Sequence, residues 1–357
     1  AQDAAPNLQR VERQVLAINN ELQDVFNGDG HYREAGKLNG EGAAMVRTPI
    51  DSYADVIPQL ELAATCDEYD PKYDFSATRL AVMDAVLQRA GLSRAPARVL
   101  IQQSDLLLFE GSRDEALRMS VIALQLGRQL EQEPFVVGYL MSLGVRTGAL
   151  DTINRILIDG PISAESSMLL KDELARNDDM QGFVQCLKAE SVLGIASFGD
   201  LPLGKLPLWY FKNWESDYLD MMAAEVTMGA APKYSIASEL AAQSKKVASY
   251  GAMVRLTYPA LQASREAIDR VRAQVRCLYV VCELQRTVAD RDDAGFNIDQ
   301  LGLDKRFITD PYTGDSLLTK KTPQGWTVYS VGRNGKDDGG NIGSPFNDVG
   351  AGPVSIQ

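Results

Sequence analysis

Between Ala260 and Ala289, Ile268, Val271, Val275, Leu278 and Cys282 recur at steps of three and four. That spacing lines them up along one side of a single long helix, and an apolar stripe of such length must be hidden against other elements. The arginines between them, Arg265, Arg270, Arg272 and Arg276, are expected on the remaining, water-facing surface. The main core is therefore expected to be lined by this helix.

Helical spacing dominates the rest of the chain up to about residue 290. Residues 7–26 carry Leu8, Val11, Val15, Leu16, Ile18, Leu22, Val25 and Phe26, an amphipathic pattern that stops at Asn27-Gly28-Asp29-Gly30. Residues 31–58, with Gly36, Gly40, Gly42, Pro49 and Pro58 and no sustained period, read as mostly irregular chain with one short helix. From Ser76 to Leu130 the pattern is helical, with breaks at Gly91, Pro96 and Gly111. Leu100–Phe109 and Glu115–Leu130, joined by Glu110-Gly111-Ser112-Arg113-Asp114, form a helical hairpin that resembles one tetratricopeptide unit, without a second copy at that period. Helices are expected over Pro134–Ile158, Ser163–Asn177 with Ser163 as cap, and Met180–Gly194. A Pro/Gly-rich loop over 199–214 leads to a helix at Glu215–Met228 and another from Tyr234 to Tyr258, which Pro259 should kink or end.

After Asp290 the composition changes to Gly, Asp, Asn, Pro and Thr, with short strand-like runs at Leu317–Lys320 and Trp326–Val331 around Pro323-Gln324-Gly325. The expected fold is mainly α, an irregular multi-helix array of helical hairpins with a small C-terminal β-hairpin module. Residues 1–290 make the helical domain and 291–357 a turn-rich module that orders itself separately.

A formal net charge of −12 repels polyanions, so no nucleic-acid partner is expected. No stretch approaches the roughly 18–20 apolar residues of a membrane helix, so no membrane span is expected in the chain as given. The start at Ala1-Gln2-Asp3 suits either a chain trimmed there or a mature form left after a secretory signal peptide is removed. Cys66, Cys186, Cys277 and Cys282 are too few and scattered to form a disulfide framework. Cys277 and Cys282 point about 140° apart on a helix, so buried free thiols are preferred, with pairing to Cys66 or Cys186 left open.

A single histidine, His31, rules out paired-His metal sites and leaves any Ser-His-Asp arrangement without nearby partners, so no catalytic residue is assigned. Asn39-Gly40-Glu41-Gly42-Ala43-Ala44 lacks the third glycine and the preceding strand of a nucleotide loop. No G-x-S-x-G elbow occurs. Asp290-Arg291-Asp292-Asp293-Ala294-Gly295 begins like a calcium loop but places Leu301 where a bidentate Glu is needed. Trp209, Tyr210, Phe211, Trp214 and Tyr218 are read as capping a helical core, with an exposed partner patch as the alternative.

The most specific signal is DPYTGDSLLTKKTPQGWTVYSVGRNGKDDGG, from Asp310 to Gly340. This DP-aromatic-x-G, strand, turn and YSVG-x-N-G pattern with its acidic glycine-rich run resembles the C-terminal module of major pseudopilins of type II secretion. Similar endings occur on exported helical proteins of Planctomycetes-like bacteria, which share the Cys66–Phe75 segment and the hairpin around Gly111, so this looser resemblance spans most of the chain. It implies no particular activity. In pseudopilins the loop binds calcium. The resemblance implies Val331, through its main-chain carbonyl, and Asn334, where pseudopilins have Asp, as ligands of Ca2+, with Asp337, Asp338 and Asp348 supplying the remaining carboxylates. A hard divalent cation takes six to eight oxygens from such flexible acidic loops. The chain lacks the long apolar helix with which pseudopilins build filaments, so the likeness implies a borrowed module.

Together these features lead to the expectation of an exported, non-enzymatic helical protein of the periplasm or cell envelope, with a protein partner there and a calcium-stabilised C-terminal loop. The alternatives are a carboxylate-dependent hydrolase-like enzyme and a secretion or pilus accessory protein.

Overall fold

A computed structural model describes residues 2–27, 31–34, 36–200, 208–287, 298–342 and 348–354. The first part runs α1 (Ala5–Glu21), α2 (Gln23–Asn27), a minimal hairpin of β1 (Arg33–Glu34) and β2 (Lys37–Leu38), α3 (Gly40–Ser52), α4 (Val56–Ala64) and α5 (Arg79–Ser93). Then come α6 (Ala95–Phe109), α7 (Arg113–Gln129), α8 (Val136–Asp159), α9 (Ala164–Asn177) and α10 (Gln181–Asp200). The last part holds α11 (Leu208–Met228), α12 (Ala237–Val247), α13 (Ala252–Thr287), α14 (Lys305–Ile308), β3 (Leu318–Thr322), β4 (Gly325–Ser330) and β5 (Val349–Val354). The chain is mainly helical, with a small C-terminal antiparallel sheet in the order β3-β4-β5.

The expected hairpin around Gly111 is present as α6 and α7, and α8 extends the same row. Gly111 takes φ +83°, a left-handed turn that glycine adopts without Cβ strain. Small residues let the two helices approach: the Ser104 hydroxyl donates to the Ala116 carbonyl at 2.7 Å and lies 2.8 Å from the Ser120 hydroxyl. Ser163 caps α9 by accepting the Ser166 N–H at 3.2 Å, as its position predicts.

Residues 31–58 depart from the reading as irregular chain. The side chain of Asn39 accepts the Gly42 N–H at 2.9 Å and starts α3, and Gly42 sits so close to the Tyr32 carbonyl that a Cβ would lie 2.4 Å from it. The glycines that look like breakers are thus there for close approach. Pro259 also departs from expectation, since α13 runs through it. The break falls at Gly251, whose N–H is held by Asp217 Oδ2 at 2.8 Å and whose Cα faces the Trp214 ring too closely for any side chain.

The stripe on α13 is buried throughout: Ile268, Val271, Val275, Leu278 and Cys282 are all 3% exposed or less. Each such side chain contributes roughly 1.5–3 kcal/mol by leaving water. The arginines correct the expectation, because only Arg270 is exposed while Arg265, Arg272 and Arg276 are buried. The physical reason is that from Ser264 to Gln285 α13 is enclosed, by α8, α9 and α11 and by β4 and β5, and only Arg270 is exposed there, whereas its first turns face solvent. Its arginines reach carboxylates instead. Asp178, 4% exposed, takes Nε and Nη2 of Arg276 at 2.9 and 3.1 Å and Nε of Arg272 at 3.4 Å.

The C-terminal strands pack against the helices. Val328, Ala351 and Val354 belong to the same core as α13, and the Cys277 thiol, wholly buried, points at the Val349 carbonyl at 3.6 Å. The boundary expected near residue 291 lies outside the described residues, as does most of the Asp290–Leu301 stretch. Beyond the hairpin of β3 and β4 there is a third strand, β5, in Val-Gly-Ala-Gly-Pro-Val. Its glycines are needed there, since a Cβ at Gly350 would lie 2.6 Å from the Val328 carbonyl. All four cysteines are buried free thiols.

Candidate functional site

The acidic loop singled out by the sequence connects β4 to β5, and its anchor is a carboxylate that sequence reasoning left unassigned. Asp310, 2% exposed, opens the Asp-Pro-Tyr turn and accepts the Tyr312 N–H at 2.8 Å. The same carboxylate accepts the Ser330 hydroxyl at 2.9 Å and the Val331 N–H at 3.0 Å, which fastens the end of β4 to the turn before β3. Aspartate before proline is a turn former, and that was the available signal.

From this anchor the loop is held by its own side chains. Asn334 accepts the Lys336 N–H at 2.9 Å through Oδ1 and donates through Nδ2 to Asp338 at 3.1 Å. Asp337 accepts the Gly339 N–H at 2.7 Å and the Tyr329 hydroxyl at 3.1 Å. Asp348, 1% exposed, accepts the N–H groups of Asp338 at 3.3 Å and Gly340 at 2.9 Å, one on each oxygen. Lys320 crosses from β3 to donate to the Gly339 carbonyl at 2.6 Å.

Asn334, Asp338 and Asp348 are thus linked by hydrogen bonds, with Asp337 beside them. Val331 stands at the strand end, its N–H committed to Asp310. Burial raises the proton affinity of Asp348, and the negative charges of Asp338 and Asp337 raise it further, while the two N–H donors oppose both. The Tyr329 phenol is pushed up to about 12 by burial and by its bond to Asp337. Among the described residues no three His, Cys, Asp or Glu side chains stand grouped so as to hold a metal ion by themselves. Main-chain carbonyls and Asn334 would therefore have to furnish much of a calcium shell.

The other singled-out residues are dispersed. His31 is exposed in its loop, 3.5 Å from Glu41. Tyr218 is buried, its hydroxyl donating to the Glu190 carbonyl at 3.0 Å, and Trp214 packs on Gly251, so these two cap helices as read. The side chains of Trp209, Tyr210 and Phe211 lie outside the described residues. Among the described residues no helix is long and apolar enough to cross a membrane.

No family model, no curated protein and no solved structure matches the chain.

Proposed function

We propose that this chain is a helical interaction or structural protein of the cell envelope whose C-terminal loop is completed by calcium. The observation that carries the calcium half is the crowding at Asp348. A buried carboxylate is held beside Asp337 and Asp338, and its charged form is disfavoured by burial and by both neighbours. A divalent cation relieves that repulsion and takes oxygens as ligands, for which the Val331 carbonyl and the Asn334 amide oxygen are the further candidates. Support for the interaction half comes from Met168 and Leu169, adjacent on α9 and 69% and 40% exposed, and from Val192 on α10, 67% exposed. The envelope placement rests on the pseudopilin-like pattern of Asp310–Gly340.

The test is a thermal melt of the whole chain after EDTA treatment, with and without millimolar calcium. Because an ion that binds only the folded state stabilises it by about 2.7 kcal/mol at a hundredfold excess over its Kd, the melting temperature should rise by several degrees. Asp338→Asn together with Asp348→Asn should abolish that rise. An identical melt with and without calcium would sink the proposal.

A further inference from the structure

A second buried carboxylate differs in kind from those of the loop. Asp269 sits on α13, 1% exposed, and neither of its oxygens has a hydrogen-bond partner among the described residues. Two turns away, the same helix presents Arg276 to Asp178 in a paired arrangement, so the helix does not lack arginines able to reach carboxylates. An unpartnered buried polar group costs stability, and its retention needs an explanation outside the fold.

Asp269 lines a cleft of about 470 Å³ with Lys233, Pro259, Gln262, Arg265, Glu266 and Arg333. A neighbouring hollow of about 340 Å³, which shares Ala263, Glu266 and Arg333 with it, adds Arg270 and Tyr312. Both volumes fall within the roughly 300–1,000 Å³ usual for small-molecule sites. Separate parts of the chain build the walls: α13, the turn at 233–236 with Leu240 of α12, Tyr312 of the Asp310–Gly314 turn, and Arg333 and Val349 from the loop after β4 and the start of β5. Their mutual fit is close. Gly314, at φ +82°, lies so near Tyr234 that a Cβ would meet its ring at 2.7 Å, and the Lys233 ammonium stands 5.2 Å above the Tyr312 ring.

The charges in this cleft run against those of the chain. Lys233 pairs with Glu266 at 3.1 Å, and Arg265 pairs loosely with Glu225 at 3.6 Å, behind the wall. Arg270 and Arg333 enter no ion pair among the described residues, and Arg333 is exposed. Lys233, Arg265, Arg270 and Arg333 thus line the two hollows against Glu266 and Asp269, with Glu225 behind Arg265, in a protein of formal net charge −12. That local surplus of positive charge suits an oxyanion, and guanidinium groups match carboxylates in shape. An ammonium ligand would meet those four cations. A hydroxyl is a neutral donor, and hydroxyls are what the two bare oxygens of Asp269 can accept. Burial pushes the Asp269 carboxyl up to about 7 despite Arg272, Arg265 and Lys233 nearby, consistent with an acceptor that lacks partners. Leu240, Pro259 and Ala263 add an apolar wall for C–H groups.

From this arrangement we infer that the cleft binds a small sugar acid, its carboxylate held by Arg333 and Arg270 and its hydroxyls bonded to Asp269. The cleft borrows one residue of the β4–β5 loop, Arg333, which stands between Val331 and Asn334, while its other lining comes from outside that loop.

The experiment is calorimetric titration of the full chain with D-glucuronate, with glucose and acetate as the neutral and the hydroxyl-free controls. Glucuronate should bind at least tenfold tighter than either control. Arg333→Ala, an exposed change, and Asp269→Asn, an isosteric one, should each weaken glucuronate binding at least tenfold while the circular dichroism spectrum stays unchanged. Absence of glucuronate binding, acetate or glucose binding as tightly, or glucuronate binding untouched by both substitutions would each overturn the inference.

Discussion

Asp178, which faces α13, and Asp269, which belongs to it, are both buried, yet the helix treats them oppositely. Asp178 lies where Arg272 and Arg276 converge, and its two oxygens are taken by guanidinium nitrogens at 2.9 to 3.4 Å. Asp269 has Arg265 and Arg272 near enough to act on it electrostatically, but neither bonds to it. Arg272 is turned toward Asp178 and the Met180 sulfur, and Arg265 toward the Met228 carbonyl. The difference shows that burying a carboxylate is not what makes it structural. Pairing is, because attraction within the low-dielectric interior offsets desolvation only when the geometry closes.

That contrast can be broken most severely at Asp178. Asp178→Ala leaves Arg276 and Arg272 buried without their carboxylate and should cost about 3–5 kcal/mol, read as a lower urea midpoint. A loss under about 1 kcal/mol would mean that the pair is as dispensable as a surface bridge.

Asp269 should show itself through pH. Its folded value of about 7 lies above the roughly 3.9 of an unfolded aspartate, so the folded chain binds the proton more tightly. Stability contributed by this group is therefore greatest below pH ~4 and declines as pH rises toward about 7, by at most about 4 kcal/mol. The groups acting on it are Arg265, Arg272 and Glu266 of α13 and Lys233 of the adjoining turn. Asp269→Asn should flatten that slope and raise the midpoint at pH 8, measured by chemical denaturation across pH. An unchanged slope would place Asp269 with the paired carboxylates.

The smallest expected effect sharpens the setting of the cleft. Gly314→Ala puts a Cβ against the Tyr234 ring at a left-handed position and should cost about 1–2 kcal/mol. Hydrogen exchange should then quicken at 233–236 while α6 and α7 keep their protection. Uniform loss of protection would show that the wall is not a separable part.

Local patterning carried much of the architecture. The α6–α7 hairpin, the cap at Ser163 and the β3–β4 hairpin each follow from residues close in sequence, because propensity, capping and turn chemistry act over a few positions. The loop residues Asn334, Asp337 and Asp338 were legible for the same reason. Asp310 was not, since its role depends on Ser330 and Val331, twenty residues away. β5 was missed because its glycines imitate a loop, while their purpose is close approach to β4.

By itself the sequence determined that α13 exists and which of its sides is apolar, since that depends only on helical pitch. What surrounds the helix was decided by tertiary structure: strands from the chain's end pack on part of it, and the expected surface arginines turn inward to Asp178 and the Met228 carbonyl. Whether a buried charge finds a partner depends on distances between segments far apart in the chain, and residue spacing holds no record of those distances.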